Sequence, residues 1–173
     1  KTQNSDAVVI TALDSIAWLL NIRGRDVART PVALAFAIVH ADASADLYVE
    51  PGKLTDAVRA HLGADVRTHD RSAFGDALEA LGSKTVVADP ASAVAAIFER
   101  LAAGGARIHE TRDPCVLPKA VKNPTEIAGT KAAHLRDGAA LTRFLHWFDG
   151  EAPKGQLDEL KVVQGELATL QGE

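Results

Sequence analysis

Methionine is absent from this sequence of 173 residues, and cysteine occurs only once, as Cys115. A single thiol excludes an internal disulfide framework and is typical of a reducing compartment. The sequence has no run of about 18 apolar residues, which argues against a membrane-spanning helix. Its first residues also lack the basic and apolar regions of a signal peptide. Because an initiator methionine is missing, we expect Lys1 to be a cut end of a longer polypeptide.

An excess of basic residues is missing as well. The formal charge is −4 at pH 7 and the isoelectric point is near 5.9, which argues against a nucleic-acid-binding surface. Hydrophobic residues make up 47% of the chain, enough for one domain with a real core and an additional segment. We therefore expect neither a nucleic acid nor a membrane as a partner.

Short apolar segments alternate with helical patterns through about the first two thirds of the chain. Segments rich in β-branched residues, or with a period of two, predict six strands. These are Ala7–Thr11, Val32–Val39, Asp46–Glu50, Asp65–Thr68, Lys84–Asp89 and Arg107–Glu110. The second and third are separated by a short polar turn, which predicts an antiparallel hairpin.

Helical spacing of apolar residues predicts four helices, near residues 13–22, 54–62, 74–81 and 94–101. For the last of these, Asp89 is the expected N-cap and Pro90 the first helical residue. Alternation of strands and helices predicts an α/β fold. We expect a mixed, mostly parallel six-stranded sheet flanked by helices, with a helical extension at the C-terminal end.

The extension begins with a strong helix-start signal. Asn123 is the predicted N-cap, Pro124 the first helical residue and Glu126 the third, as in a capping box. Six residues are expected on one side of this long helix: Ile127, His134, Leu135, Leu141, Leu145 and Phe148. A last amphipathic helix is predicted from Leu157, Leu160, Val163, Leu167 and Leu170. We expect residues 124–173 to fold back as a hairpin or to pair with a second copy of the chain, and pairing is slightly favoured.

Candidate catalytic groups are weak in this sequence. The six histidines lack the spacing of metal-binding motifs, and His61 and His134 are interpreted as half-buried, hydrogen-bonded side chains. Cys115 lacks an activating base and is interpreted as a buried or neutral thiol. Ser15 and Ser72 lack the nucleophile elbow of hydrolases. We predict no catalytic and no metal-binding residue.

A polar turn after the first helix is different in kind. Asn21, Arg23, Gly24, Arg25 and Asp26 bring two arginines, an amide and a carboxylate together. One interpretation is an ordinary solvated loop, which composition alone favours. The other is a rigid polar rim that faces a ligand cleft or a neighbouring domain.

Two stretches resemble the long, three-domain Xaa-Pro aminopeptidases (aminopeptidase P). The first is Thr11–Val27, TALDSIAWLLNIRGRDV, followed by Pro31, and it is similar to part of the middle, creatinase/prolidase N-terminal-like domain. The second is Pro118–Asn123, PKAVKN, with Glu126, Ala133-His134 and Asp137-Gly138 after it. It resembles the passage into the pita-bread catalytic domain. The resemblance covers roughly Ala7–Gly155.

The resemblance implies a cytoplasmic metallopeptidase that removes the N-terminal residue preceding proline from peptides. Such enzymes use two divalent metal ions, usually manganese, held by two Asp, one His and two Glu, and a metal-bound hydroxide attacks the scissile carbonyl. No position of this sequence matches those ligands, so the chain is expected to be an inactive fragment without a metal of its own.

The resemblance also implies a domain division and partners. Residues 1–112 would form the creatinase/prolidase-like domain, 113–123 a connector, and 124–173 the start of the catalytic domain. The middle domain would support the catalytic domain and shape its entrance. Implied partners are proline-containing peptides, the missing catalytic domain and a second copy in a homodimer. A free-standing small-molecule-binding module and an interaction scaffold remain the alternatives.

Overall fold

The computed structural model describes residues 5–171, with side chains as far as residue 168. The chain divides into two compact units, with the boundary between residues 120 and 121. The first unit contains the sheet, and the second is helical.

The first unit is built on a six-stranded sheet. Its strands are β1 (Ala7–Ile10), β2 (Ala35–His40), β3 (Ala45–Val49), β4 (Val66–His69), β5 (Thr85–Ala88) and β6 (Arg107–Glu110), in the order β4-β3-β2-β1-β5-β6. Strand β2 is antiparallel to both of its neighbours, and the other three pairs are parallel. The predicted mixed, mostly parallel sheet and the β2–β3 hairpin are therefore confirmed.

Helices cover both faces of this sheet, as predicted. They are α1 (Leu13–Leu19), α2 (Asp56–Leu62), α3 (Phe74–Glu79), α4 (Ala95–Ala103) and α5 (Val116–Ala120). On one face, Leu78 of α3 and Leu101 of α4 belong to the same buried cluster as Ile38. On the other face, Ile16 of α1 belongs to a second cluster with Leu47. Burying apolar side chains on both faces is the main stabilising contribution to such a sheet.

Strand β2 lies inside the sheet and contributes side chains to the cores on both faces. Ile38 lies in the core beneath α3 and α4, whereas Ala37 packs in the opposite core. The strand begins at Ala35, however, and not at Val32 as predicted. The reason is that the preceding residues bond to the other side of their own loop: Val32 O accepts from Asp26 N at 3.3 Å.

The predicted N-cap of α4 is wrong. The helix begins at Ala95 after Val94, whose side chain makes no capping bond. The Asp89 carboxylate instead accepts from Ala91 N at 2.9 Å and from Asp113 N at 2.8 Å. Asp89 therefore closes a turn and ties it to a loop 24 residues away, and α4 starts only after that turn.

The second unit begins with the predicted capping box. Helix α6 (Pro124–Glu151) has Asn123 as its N-cap. The Asn123 side chain accepts from Glu126 N, and the Glu126 carboxylate accepts from Asn123 N, both at 2.8 Å. Two backbone donors at the helix start are thereby paired, which confirms the prediction.

Helices α6 and α7 (Glu159–Gln171) fold back on each other as a hairpin. Ala140 of α6 is buried, and the ring of Trp147 lies so close to Gly165 that a Cβ there would be 2.4 Å from it. The hairpin, one of the two predicted arrangements, is therefore present. Pairing with a second copy stays a prediction.

The hairpin does not bury the apolar stripe predicted from the sequence. Leucines and other apolar side chains of α6 and α7 remain exposed: Ile127, Leu135, Leu141, Leu145, Leu160, Val163 and Leu167. The two helices come close where the ring of Trp147 in α6 lies against Gly165 of α7. The predicted contribution of Leu170 lies outside the described side chains.

Candidate functional site

The polar turn singled out in the sequence lies at the carboxyl edge of the sheet. Strands β1, β3, β4, β5 and β6 run in one direction, and the loops that follow them open at that edge. The loop 20–34 joins α1 to the start of β2, which runs the opposite way and therefore begins at the same edge. In open α/β sheets, ligands bind preferentially at the carboxyl ends of the strands.

Helix α1 ends earlier than predicted because the chain reverses at Asn21. The helix stops at Leu19, and Asn21 has a left-handed backbone with φ of 49°. Ile22 N then bonds back to Ala17 O at 3.1 Å. A left-handed residue with such a bond is a common way to end a helix, and asparagine tolerates that conformation.

Arg23 completes this helix end. Its guanidinium Nη1 donates to Ala17 O at 2.8 Å and to Ile22 O at 2.9 Å. A cation at the carbonyl end of a helix is favourable for the helix dipole. The Arg23 head group therefore stabilises α1.

Gly24 allows two segments of the loop to approach closely. Gly24 N donates to Pro31 O at 3.3 Å, and a Cβ at this position would lie 2.6 Å from Ala33 N. A side chain would collide with backbone atoms that cannot rotate away. Val27 and Thr30 then form an isolated antiparallel bridge. We call residues 24–33 the arginine hairpin.

Asp26 fixes the arginine hairpin to the rest of the unit. Its Oδ2 atom accepts from Lys53 Nζ at 2.7 Å and from Leu34 N at 2.6 Å. The hydrogen bond from Lys53, followed by the one from Leu34 N, holds the pKa of the Asp26 carboxyl below its usual value. The carboxylate is therefore ionised at neutral pH and already has its partners.

Arg25 presents its side chain differently from the other predicted site residues. It is exposed, and neither Arg25 nor Arg29 has a hydrogen-bond or ion-pair partner among the described residues. Arg29 sits at a left-handed position, φ 63°, at the tip of the hairpin. The structure thus brings the five predicted residues onto one loop but gives them different roles. Arg23, Gly24 and Asp26 hold the loop, and Arg25 is available.

A second polar cluster was not predicted. The buried Asp46 of β3 accepts from Arg67 Nε at 2.7 Å, Arg67 Nη2 at 2.9 Å, His40 Nε2 at 2.6 Å and His69 Nε2 at 2.8 Å. Burial raises the pKa of Asp46, but the bonds from Arg67 and the two histidines outweigh it and hold that pKa far below its usual value. The ring of Tyr48 stacks on His69 at 5.0 Å.

The Asp46 cluster is structural and does not fit a metal ion. Both carboxylate oxygens are occupied by donors, one of them a guanidinium. Elsewhere among the described residues, too, no group of three or more His, Cys, Asp or Glu could hold a metal. No signal in the sequence indicated Arg67 as a partner of Asp46, because only the parallel β3–β4 register places Arg67 opposite Asp46.

Cys115, His61 and His134, which were considered as candidate catalytic groups, have structural roles. Cys115 is buried, and burial followed by the nearby Asp113 carboxylate raises the pKa of its thiol to about 12, so the prediction of a neutral thiol is confirmed. His61 contacts Leu20 O at 3.0 Å, and His134 contacts Thr130 O at 2.9 Å. Both histidines are hydrogen-bonded as expected, but they are exposed and not half-buried, because each lies on a solvent-facing side of its helix.

A comparison with known protein families identifies the class to which this fold belongs. The chain matches the creatinase/prolidase N-terminal domain family over residues 1–126, and it belongs to that family. The described part of the chain contains no helix with the length and hydrophobicity of a membrane span.

Individual proteins similar in sequence were also found. The chain is 41% identical over 162 residues to a probable Xaa-Pro aminopeptidase P of Penicillium rubens; the match covers 88% of this chain and 26% of the relative. A similar protein of Aspergillus clavatus is 41% identical over 166 residues, covering 90% of this chain and 25% of that protein. The chain therefore spans about a quarter of the length of the curated relatives it matches.

Solved structures agree with this family. An X-prolyl aminopeptidase of Caenorhabditis elegans, described as a cytosolic enzyme with a di-nuclear active site, superposes with a TM-score of 0.82 at 28% identity. The superposition covers 95% of this chain and 28% of the enzyme. Prolidase of Pyrococcus furiosus shares the fold, with a TM-score of 0.67 at 14% identity, over 98% of this chain and 46% of that protein.

Proposed function

We propose that this chain is a non-catalytic part of a metal-dependent Xaa-Pro aminopeptidase, which removes the N-terminal residue preceding proline from peptides. The observation that carries the proposal is the 41% identity to a probable Xaa-Pro aminopeptidase P over 88% of the chain. The di-nuclear active site described for the C. elegans enzyme supports two divalent metal ions in the parent, and we propose manganese. The same description supports a cytoplasmic location.

The metal ions of such an enzyme would be held outside this chain. The described residues offer no cluster suited to a metal ion, and the one carboxylate close to two histidines is occupied by hydrogen bonds. Two-metal hydrolysis needs both ions in place. We therefore expect the 173-residue chain by itself to be inactive.

The test compares this chain with the longer parent protein on an Xaa-Pro peptide with added manganese. We expect turnover by the parent, loss of turnover after chelation, and no turnover above blank by the 173-residue chain. Activity of the short chain would contradict the proposal that this part of the enzyme is non-catalytic. If the parent protein is correctly folded and metal-loaded but inactive, the proposed aminopeptidase activity is wrong.

Within that enzyme, we propose that residues 1–112 support and shape the entrance, 113–123 connect, and 124–173 begin the catalytic domain. The site residues Asn21, Arg23, Gly24, Arg25 and Asp26 would face the cleft or the neighbouring domain. Two observations support this: the loop lies at the carboxyl edge of the sheet, and its backbone is held from several sides. A free-standing binding module or scaffold has no comparable observation in its favour.

A pair of variants in the parent tests the entrance role. Arg23→Ala removes the bonds to Ala17 O and Ile22 O, so it is expected to lower the thermal midpoint. Arg25→Ala removes an exposed side chain without a described partner, so it is expected to change KM and leave the midpoint unchanged. If Arg25→Ala has wild-type kinetics as well, the loop is merely solvated.

The exposed apolar residues of α6 and α7 are proposed to be covered by the catalytic domain and, in the short chain, by a second copy. Burying such side chains is favourable by roughly 1.5–3 kcal/mol each, so an exposed stripe tends to find a partner. Light scattering after size exclusion, over a concentration series, tests the homodimer. A monomer at all concentrations would contradict it.

A further inference from the structure

The loop that contains the arginine hairpin has an excess of positively charged side chains. Residues 21–34 contain three arginines and one aspartate, although the whole chain has a formal charge of −4. Arg23 is bonded to backbone carbonyls, and Asp26 is paired with Lys53. Arg25 and Arg29 are left as exposed cations without partners among the described residues.

The nearby acidic groups do not neutralise these two cations. Asp26 is already compensated by Lys53, which also lies 3.5 Å from Glu50. Arg71 adds a further positive charge within electrostatic range of Asp26, and its guanidinium lies 5.1 Å from the centre of the Phe36 ring. The surface around the hairpin therefore attracts anions.

The hairpin backbone is already fixed before any ligand arrives. Its strands are joined by Gly24 N to Pro31 O and Asp26 N to Val32 O, both at 3.3 Å, and Leu34 N is held by the Asp26 carboxylate. A cation on a fixed backbone loses less conformational entropy on binding than one on a mobile loop. Guanidinium groups also match the planar carboxylate with two parallel hydrogen bonds.

We propose that Arg25, supported by Arg29, binds a carboxylate of the substrate peptide downstream of its proline. The longer enzyme would then prefer peptides with an acidic residue, or with a free C-terminal carboxylate, over neutral and basic ones. This inference rests on the proposed aminopeptidase function. It adds the chemical class of peptide that the entrance selects.

The test is steady-state kinetics of the longer, metal-loaded enzyme with a set of peptides that share one Xaa-Pro start. Downstream of the proline they carry Glu, Gln or Lys, and each is made with a free or an amidated C-terminus. The Glu and Gln amides differ only in a side-chain carboxylate, whereas the free and amidated Gln peptides differ only in the terminal one. The two sources of the carboxylate are thus read separately.

We expect Arg25→Ala to raise KM about three- to ten-fold for peptides with the recognised carboxylate, the usual net size for one hydrogen bond, because the exposed guanidinium competes with water for its partner. The amidated Gln peptide should keep its wild-type KM. Arg25→Lys should retain part of the preference, and Arg25→Glu should shift it towards the Lys peptide. Arg107→Ala is the control: it removes an exposed arginine, whose Nε donates to Thr85 Oγ1 at 3.2 Å, at the start of β6 on the opposite edge of the sheet. It should change none of these ratios.

Each of the other possible outcomes would contradict a named part of the proposal. An equal rise in KM for all peptides leaves the entrance role intact and overturns carboxylate recognition. Unchanged kinetics for every peptide overturns the entrance role too. A lower thermal midpoint for Arg25→Ala with an unchanged peptide preference assigns Arg25 to a domain contact and overturns the proposal. If the wild-type enzyme cannot cleave even the amidated Gln peptide, the aminopeptidase function itself is wrong.

Discussion

Asp46→Asn is the substitution for which the structure makes the sharpest prediction about stability. The Asp46 carboxylate of β3 accepts four hydrogen bonds, from His40 of β2 and from Arg67 and His69 of β4, so it links three neighbouring strands. An asparagine of the same shape keeps one carbonyl oxygen and replaces the other by an amide that donates. The new amide NH2 would then lie against hydrogen-bond donors of the neighbouring side chains, and the positive charge of Arg67 would no longer be compensated.

The expected cost follows from the exposure of the partners. Breaking a fully buried ion pair by removing one partner costs about 3–5 kcal/mol. Here Asp46 is 11% exposed, but Arg67 is 53% and His69 39% exposed, so both can recover hydrogen bonds from water. We therefore expect the free energy of unfolding at pH 7 to fall by about 2–3 kcal/mol.

The same carboxylate predicts how this difference depends on pH. The pKa of Asp46 is far below its usual value in the folded state, so its stabilising contribution is complete above the unfolded pKa of about 3.9. It is lost as the pH falls below that value, because the unfolded chain then binds a proton that the folded chain does not. At pH 3 the gap between wild type and Asp46→Asn should be smaller by about 1 kcal/mol.

Urea unfolding at pH 7 and pH 3 measures both effects. Trp18 lies in the first unit and Trp147 in the second, so a Trp147→Phe background makes fluorescence report the unit that contains Asp46. Asp65→Asn is the control, because Asp65 is exposed and its side chain makes no described hydrogen bond; it should shift stability by less than about 0.5 kcal/mol. An Asp46→Asn midpoint equal to wild type at pH 7, or the same gap at both pH values, would refute the reasoning.

Three further outcomes are expected. Gly24→Ala should destabilise the protein by about 1–3 kcal/mol in urea unfolding because its Cβ meets backbone, whereas Gly52→Ala, which meets nothing within 4 Å, should stay near wild type; equal midpoints would contradict this. Cys115, with its thiol pKa near 12, should react with a disulfide reagent at pH 8 only after unfolding, and rapid labelling of the native chain would be the contrary result. Asn123→Ala should cost about 1 kcal/mol by breaking the capping box with Glu126, measured as faster hydrogen exchange in the first turn of α6; unchanged exchange would count against it.

The sequence by itself predicted the features that depend on adjacent residues. The β-branched runs predicted β1 and β5, and Arg107–Glu110 is a strand with the predicted bounds. Asn123, Pro124 and Glu126 predicted the start of α6, because a capping box is made within one turn of chain. Alternating strands and helices were enough for the fold class, since the connections restrict how such a sheet can be arranged.

Only the tertiary structure decided which polar groups meet. Asp89 looked like a helix cap, but it bonds to Asp113 N, 24 residues away. Asp46 pairs with Arg67 because β3 and β4 lie side by side in one particular register, which no local pattern encodes. Within the predicted turn, residue types did not distinguish Arg23, bound to Ala17 O, from the available Arg25. Backbone propensity acts over a few residues, whereas the partner of a side chain is fixed by how distant segments pack, and so the role of each arginine emerged only from the fold.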